Sequence, residues 1–363
     1  MKNFRMIIFF VFMSFTFLIL SSCTPRDVNK GRSGANVHYS NVIAVEAKET
    51  DTKIFNVGSH KLSENLTDSN INSNINSMEE MVYDTKKSTF IYLNKEIGSN
   101  KNKIDIITKD SVDEVKNFYN ARNIKMNSTG NKIAFRTFKN SSLYSAEGMK
   151  VYDIKNKKYL DIKSKVLVSG DLYEFLDDHR IIYYGSIEGK VNSDRVYIYD
   201  FNTDREQIYL NDTKGYCIYF IPVENDILFL SRNYNKLYLY FYNNESKQFT
   251  LLSEGFAEIY NSILDKKRKS VFFIGNQNDN NTALYEFKEE SGTVNRITYD
   301  FPETFGISSG IAEDESGNVY FTGMEKGSQQ NNVNVFMYNA DEKSINVISD
   351  HAGKYRIYKN NEM

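Results

Sequence analysis

A short apolar strand preceded by a polar turn recurs along most of this chain. It occurs as Phe90-Ile91-Tyr92-Leu93, Ile133-Ala134-Phe135, Ile181-Ile182-Tyr183-Tyr184, Ile227-Leu228-Phe229-Leu230, Val271-Phe272-Phe273-Ile274 and Val319-Tyr320-Phe321-Thr322. Counted from one first residue to the next, the copies start 43, 48, 46, 44 and 48 residues apart. A period of about 45 residues holding four short strands is the mark of a β-propeller; helical repeats of that length need amphipathic helices. No segment after the N-terminal leader sustains the apolar period of a helix, so few helices are expected.

The unit is clearest from Asn127 to Ile162. A turn, Asn127-Ser128-Thr129-Gly130, feeds the apolar strand, and a polar loop leads to a third strand at Val151-Tyr152-Asp153. That third strand recurs as Val196 to Asp200, Leu237 to Tyr240, Ala283 to Phe287 and Val335 to Tyr338. Turns rich in Asn, Asp, Lys and Glu follow, then outer strands such as Gln207 to Leu210, Phe249 to Leu252 and Asn346 to Ser349. Asn and Asp suit such turns because they tolerate left-handed backbone and bond to their own main chain, with no ligand needed. The units Asn127 to Phe135 and Asp314 to Phe321 resemble the repeat of TolB-like, WD-type propellers, in which an Asp-Pro-Asp-Gly turn precedes an apolar strand. The likeness covers roughly residues 81 to 355 in a degenerate form: every copy lacks the Pro, and Leu264 to Lys269 keeps only the Asp. It implies the fold and carries over none of the partners of TolB.

Six repeats are legible between Met81 and Ser349, and Tyr355-Arg356-Ile357-Tyr358 follows where the next inner strand is due. Three strand candidates remain near the start, Val42 to Ala47, Lys53 to Val57 and Lys61 to Leu66. Joined, they make one more four-stranded blade and spare the ring two exposed edges. The expected fold is therefore an all-β propeller spanning 42–363 as a single domain, with seven blades favoured and six as the alternative. The 26 Tyr and 25 Phe, with 3 Pro and no Trp, fit half-buried pleated strands.

The first 22 residues form a separate element. Lys2 and Arg5 precede an apolar run from Met6 to Leu20, short for a bilayer span and suited to a signal-peptide core. Leu20-Ser21-Ser22-Cys23 resembles the lipobox of bacterial lipoproteins, which implies cleavage before Cys23 and acylation of its thiol. The alternative is an ordinary signal peptide with an incidental Cys. Residues 23–41 are polar, with Pro25, Gly31 and Gly34, and read as a flexible tether. Two or more acyl chains anchor a protein stably, so the expected place is the extracytoplasmic face of a bacterial membrane.

Without Lys2 and Arg5 the balance changes from 45 basic against 47 acidic residues to 43 against 47, a net charge of −4. No basic excess or stripe is present, so a nucleic-acid partner is not expected. With Cys23 lipidated, Cys217 has no intrachain partner, and in Tyr216 to Phe220 it reads as an inert core thiol rather than a nucleophile. Asp177-Asp178-His179-Arg180 occupies the turn between first and second strands and reads as a solvated turn, with a metal or acid/base site as the alternative. His38, His60 and His351 lack metal-ligand spacing. Gln277 to Asn281 offers one carboxylate where Ca²⁺ sites use several, and reads as a loop. Tyr238 to Tyr242 reads as blade packing rather than a sugar platform. No catalytic residue, metal or cofactor is assigned.

The leading functional reading is a non-enzymatic, membrane-tethered, monomeric scaffold for a protein or cell-wall glycan. The alternative is a propeller enzyme acting on a sugar or peptide, with catalytic groups converging from several blades and leaving no local motif. The expected binding face holds the loops between second and third strands: Arg136 to Lys150, Gly185 to Asp194, Ser231 to Lys236, Gly275 to Thr282 and Gly323 to Asn334. These vary in length and content, and irregular loops on a rigid frame are where recognition resides. Arg136, Tyr144, Arg232 and Tyr234 are its leading contact candidates, since Tyr and Arg dominate the energetics of buried interfaces.

Overall fold

The computed structural model describes residues 39–48, 52–65, 77–96, 98–277, 282–327 and 332–361. Seven antiparallel sheets form seven blades of a propeller. Blade 1 is assembled from both ends of the chain. Its innermost strand is Tyr355–Lys359, followed outward by Val42–Ala47, Thr52–Val57 and Leu62–Glu64. The inner strands of blades 2 to 6 are Met78–Asp84, Asn120–Met126, Val166–Phe175, Tyr216–Val223 and Phe256–Asp265. Among the described residues the only helical element is one 3-10 turn, Leu143–Ser145.

The repeating apolar run is the second strand of each blade. Thr89–Lys95, Ser270–Gln277 and Asn318–Met324 are buried over their first six residues without alternation. A second strand lies midway along its blade, and neighbouring blades cover both of its faces, so both sets of side chains must be apolar. Outer strands such as Arg205–Leu210 alternate with exposed positions instead. The cores accordingly sit between blades; one cluster joins Leu228, Leu230 and Leu239 of blade 5 to Phe256, Phe273 and Tyr285 of blade 6.

The closing strand pairs Tyr355 with Glu46, Ile357 with Ala44 and Lys359 with Val42. Beyond the ladder, Asn360 N–H donates to the Asn41 carbonyl at 2.7 Å and Asn361 N–H to the Tyr83 carbonyl at 2.7 Å. Blade 7 departs from the regular plan. Its inner strand is broken into Thr304–Phe305 and Ile311–Glu313. Gly310, between them, has φ +83° and lies against the Ile357 carbonyl, where any side chain would collide with the closing strand.

Inner strands also bind one another around the ring. Arg356 donates to the Glu79 carbonyl, joining blades 1 and 2. Glu80 accepts from the N–H groups of Asn123 (2.9 Å) and Ile124 (2.7 Å) of blade 3. Lys125 pairs with Glu174, and the Tyr173 hydroxyl donates to the Asn123 carbonyl at 2.6 Å, joining blades 3 and 4. Ser169 and Tyr216 share a hydrogen bond at 2.5 Å, Tyr219 and Ser262 another at 2.6 Å, and the Asn261 amide donates to the Ile307 carbonyl at 2.5 Å. Ile357 N–H to the Ser309 carbonyl, at 2.6 Å, completes the circuit. Bulges interrupt the inner strands of blades 2 to 6, turning polar groups toward their neighbours.

Candidate functional site

Strand order gives the ring two unlike faces. The loops between second and third strands share one face with the connections from each outer strand to the next blade; we term this the loop face. The turns from first to second and third to fourth strands make the opposite, turn face.

Side chains close the turn face. Asp84, Asn127, Asp177, Asp265 and Asp314 each accept backbone N–H bonds within their own first-to-second turn, from Lys87, Asn131 and Lys132, His179 and Arg180, Arg268, and Ser316 and Asn318 respectively. Several turns also clasp the next blade: the Asn127 amide donates to the Asp178 carbonyl at 3.0 Å and Arg268 to the Gly317 carbonyl at 2.9 Å. Val112 is the large apolar side chain exposed there among the described residues.

The loop face is different in kind. Leu143 and Tyr144 of blade 3, Leu167 and Val191 of blade 4, Tyr216 and Tyr234 of blade 5, and Tyr299 and Phe301 on the connection into blade 7 are all exposed on it. Of the other large exposed apolar side chains, Ile208 and Leu251 lie on outer strands and Ile307 in the break of the blade 7 inner strand.

Tyr144 is wholly exposed, and its N–H donates to the Ser142 hydroxyl at the start of the 3-10 turn. Tyr234 is 94% exposed at the tip of the blade 5 hairpin. Arg232 lines a cavity of about 320 Å³ with Tyr219, Glu258 and Tyr260, and a second of about 370 Å³ adjoins it at Ala257. Arg136 is half-buried, its guanidinium 5.0 Å from the Phe138 ring. Arg136 and Tyr144 thus stand on blade 3 and Arg232 and Tyr234 on blade 5, with blade 4 between the two pairs. Residues 278–281 and 328–331 of the candidate loops lie outside the described residues, as do Leu20, Ser21, Ser22 and Cys23.

Sequence reading missed a second site, on the ring axis. Inner strands of blades 1, 2, 3, 6 and 7 enclose a cavity of about 610 Å³, lined among others by Glu79, Glu80, Arg122, Asn261, Ser309 and Arg356. Through Ser308, Ser309 and Arg356 it shares lining with a cavity of about 430 Å³ on the loop face, whose walls include Val45, Met78, Phe305, Ile307 and Met324. Burial pushes the Glu80 carboxyl up, and the Asn123 and Ile124 N–H groups, with Lys125 and Arg356, partly oppose it. Desolvation works against the charge on Lys125, but Glu174 more than offsets it and holds the ammonium above its ordinary range. Burial pushes Tyr219 up to about 12. These groups are engaged with one another: Glu174 with Lys125, Asp171 with the Asn123 amide at 3.2 Å, Glu79 with the Asn102 amide at 3.1 Å.

Asp177, Asp178 and His179 stand close enough together to share a metal ion. Both Asp177 oxygens are already occupied, however, one by the N–H groups of His179 and Arg180 and the other by Arg180 Nε at 2.6 Å. His179 Nδ1 bonds to Asp178 at 2.7 Å, which raises the imidazole and lowers the carboxyl. Cys217 is fully buried, and burial pushes its thiol up to about 12, far from the reactive thiolate.

No family model matches the chain, and no curated protein matches it in sequence. Solved structures do match in shape. TolB from Acinetobacter baumannii is 13% identical at a TM-score of 0.50, over 88% of this chain and 82% of that one. The propeller domain of the trilobed protease from Pyrococcus furiosus, described as having an open velcro topology, is 16% identical at 0.52, over 76% and 85%. An oligogalacturonate lyase in complex with manganese is 7% identical at 0.53, over 87% of each chain. Likeness at this level of identity shows the propeller fold alone, and proteins of such different names share it.

Proposed function

We propose that this chain is a non-enzymatic binding module, held by a lipid on Cys23 at the extracytoplasmic face of a bacterial membrane, that engages a protein or cell-wall glycan through its loop face. The observation that carries the reading is the asymmetry of the two faces. Exposed tyrosines and aliphatic side chains gather on the loop face, while side-chain bonds close the opposite turns. Exposed apolar groups gathered on one face of a soluble domain are characteristic of interaction sites. A lipid tether leaves such a face free to meet wall or membrane partners.

An enzyme remains the second reading, favoured by the carboxylates and tyrosines gathered on the ring axis. Their mutual bonds weigh against it, because Glu80, Glu174 and Asp171 each serve a neighbouring blade.

The test is capture from membranes with wild type and two surface variants of equal melting temperature. Arg232→Ala with Tyr234→Ala should lose at least half of the captured partner. Asp178→Ala with Val112→Ala on the turn face should retain it. Asp265 is unsuitable as a control because it is buried beneath its turn. Equal loss from both variants would place the interaction elsewhere.

A further inference from the structure

Arg122 and Arg136 are direct cross-strand partners in blade 3. Like charges placed opposite one another in a sheet destabilise it, so this pairing calls for a compensating anion. None is supplied by the protein: among the described residues neither guanidinium has a carboxylate within ion-pair distance. Arg122 is exposed to the axial cavity, and Arg356 faces the same cavity from blade 1. Lys354 lines the adjoining loop-face cavity. The carboxylates nearby are committed, since Glu80 caps the N–H groups of Asn123 and Ile124 and Glu79 accepts from Asn102. Ser308 and Ser309 line both cavities.

We infer that the axial cavity and the loop-face cavity adjoining it, together termed the axial tunnel, bind a carboxylate attached to an apolar body. The carboxylate lies between Arg122 and Arg356, with Ser308 and Ser309 as further donors. The apolar part lies toward Val45, Met78, Phe305 and Met324 in the mouth. Arginine suits this role because its fork of donors matches the two oxygens of a carboxylate. The two cavities are each within the range that holds small organic ligands. The chemistry is common to two sources, the free C-terminus of an apolar peptide and a small aliphatic acid. The site does not depend on what the outer loops engage.

Isothermal titration of the whole protein with four probes tests this: N-acetylated dileucine with a free carboxylate, the same dipeptide as its C-terminal amide, hexanoate, and hexanol. Binding of at least one acid, about 10-fold or more tighter than its uncharged counterpart, supports the inference, because a hydrogen bond to a charged group is worth at least that factor. Which acid binds identifies the source. Arg122→Gln should weaken that acid about 10-fold or more, while Arg205→Gln, at the exposed start of the blade 4 outer strand, leaves it unchanged. Arg136→Gln serves as the second variant should Arg122→Gln melt lower than wild type, and it should weaken binding through loss of the same field. The inference falls if neither acid binds up to about 10 mM, if acid and uncharged probes bind alike, or if the Arg205 variant weakens binding as much as the Arg122 variant.

Discussion

Ring closure rests on one five-residue strand, and Ile357→Ala tests how much it carries. Ile357 is 3% exposed and packs in a cluster with Val42 and Ala44 of blade 1 and Tyr320, Val335 and Met337 of blade 7. Replacing a fully buried Ile with Ala costs about 2–5 kcal/mol, through lost transfer energy and the cavity left behind. The site is braced on both sides, by the ladder to Ala44 and by the Ile357 N–H bond to Ser309, so collapse into the cavity is restricted and ~3 kcal/mol is a fair centre. Unfolding entropy of ~2.1 cal/mol/K per residue over the roughly 320 residues from Tyr39 to Asn361 gives ~0.7 kcal/mol/K. The melting temperature should therefore fall by about 4–5 °C if the ring unfolds as one unit. Circular dichroism melting measures this, with Val112→Ala as a surface control expected to shift by less than about 1 °C. Removing residues 355–363 should cost more than the point change, because it also exposes the edge of Val42–Ala47, whose amides should lose protection from hydrogen exchange. A truncated chain that melts with wild type, or an Ile357→Ala shift no larger than the control, would refute the view that this strand holds the ring shut.

Glu313, at the turn-face end of the blade 7 inner strand, is buried, and desolvation together with the Asp265 carboxyl beside it pushes it from 4.5 to about 8, against the pull of Lys359. A carboxyl raised on folding stabilises fully below its unfolded value and loses that contribution as pH rises through about 8, at up to ~1.4 kcal/mol per pH unit within the window. Glu313→Gln should flatten the fall in melting temperature between about pH 5 and 8; an unchanged slope would mean the carboxyl titrates normally. Cys23→Ala should block processing and leave the apolar leader attached. Unaltered cleavage with unaltered membrane retention would remove the lipid from the account.

The second strands were legible because their environment leaves no choice of residue. Covered on both faces, Phe90 to Leu93 or Val271 to Ile274 must read as uninterrupted apolar runs, and those runs set the repeat. The blade formed from both termini was legible as well, from three unassigned strands and a surplus inner strand at Tyr355. Apart from Tyr355 to Tyr358 and Tyr216 to Phe220, the inner strands were not delineated, because they do opposite work. Asn120–Met126 carries Arg122, Asn123 and Lys125, which serve the axis and the neighbouring blades rather than a core, and a bulge breaks its alternation. Yet a signal was present. Glu80, Asn123, Asp171, Tyr219, Ser262 and Ser309 stand 10, 10, 10, 8, 9 and 10 residues before Phe90, Ile133, Ile181, Ile227, Val271 and Val319. A polar residue 8 to 10 positions before each of these six apolar runs marks the inter-blade bonds on the axis. Reading each repeat alone hides it, since the partners come from different blades.

The closing strand and the tunnel are one piece of structure seen twice. Tyr355 and Ile357 pack in the core that seals blade 1 to blade 7, Tyr358 packs against the core shared with blade 2, and Arg356, Ile357 and Tyr358 all line the axial cavity. Alternation along five residues therefore turns one set of side chains to blade 7 and the other to blade 2, with the strand itself bordering the axial cavity. Arg356 also reaches the Glu79 carbonyl of blade 2, so whatever holds its guanidinium holds two blades together. An anion seated there binds only the closed ring, and any ligand selective for the folded form stabilises it by mass action. Occupancy of the tunnel and closure of the ring are coupled through this strand, which makes the seam the place where binding on the axis reaches the stability of the whole domain.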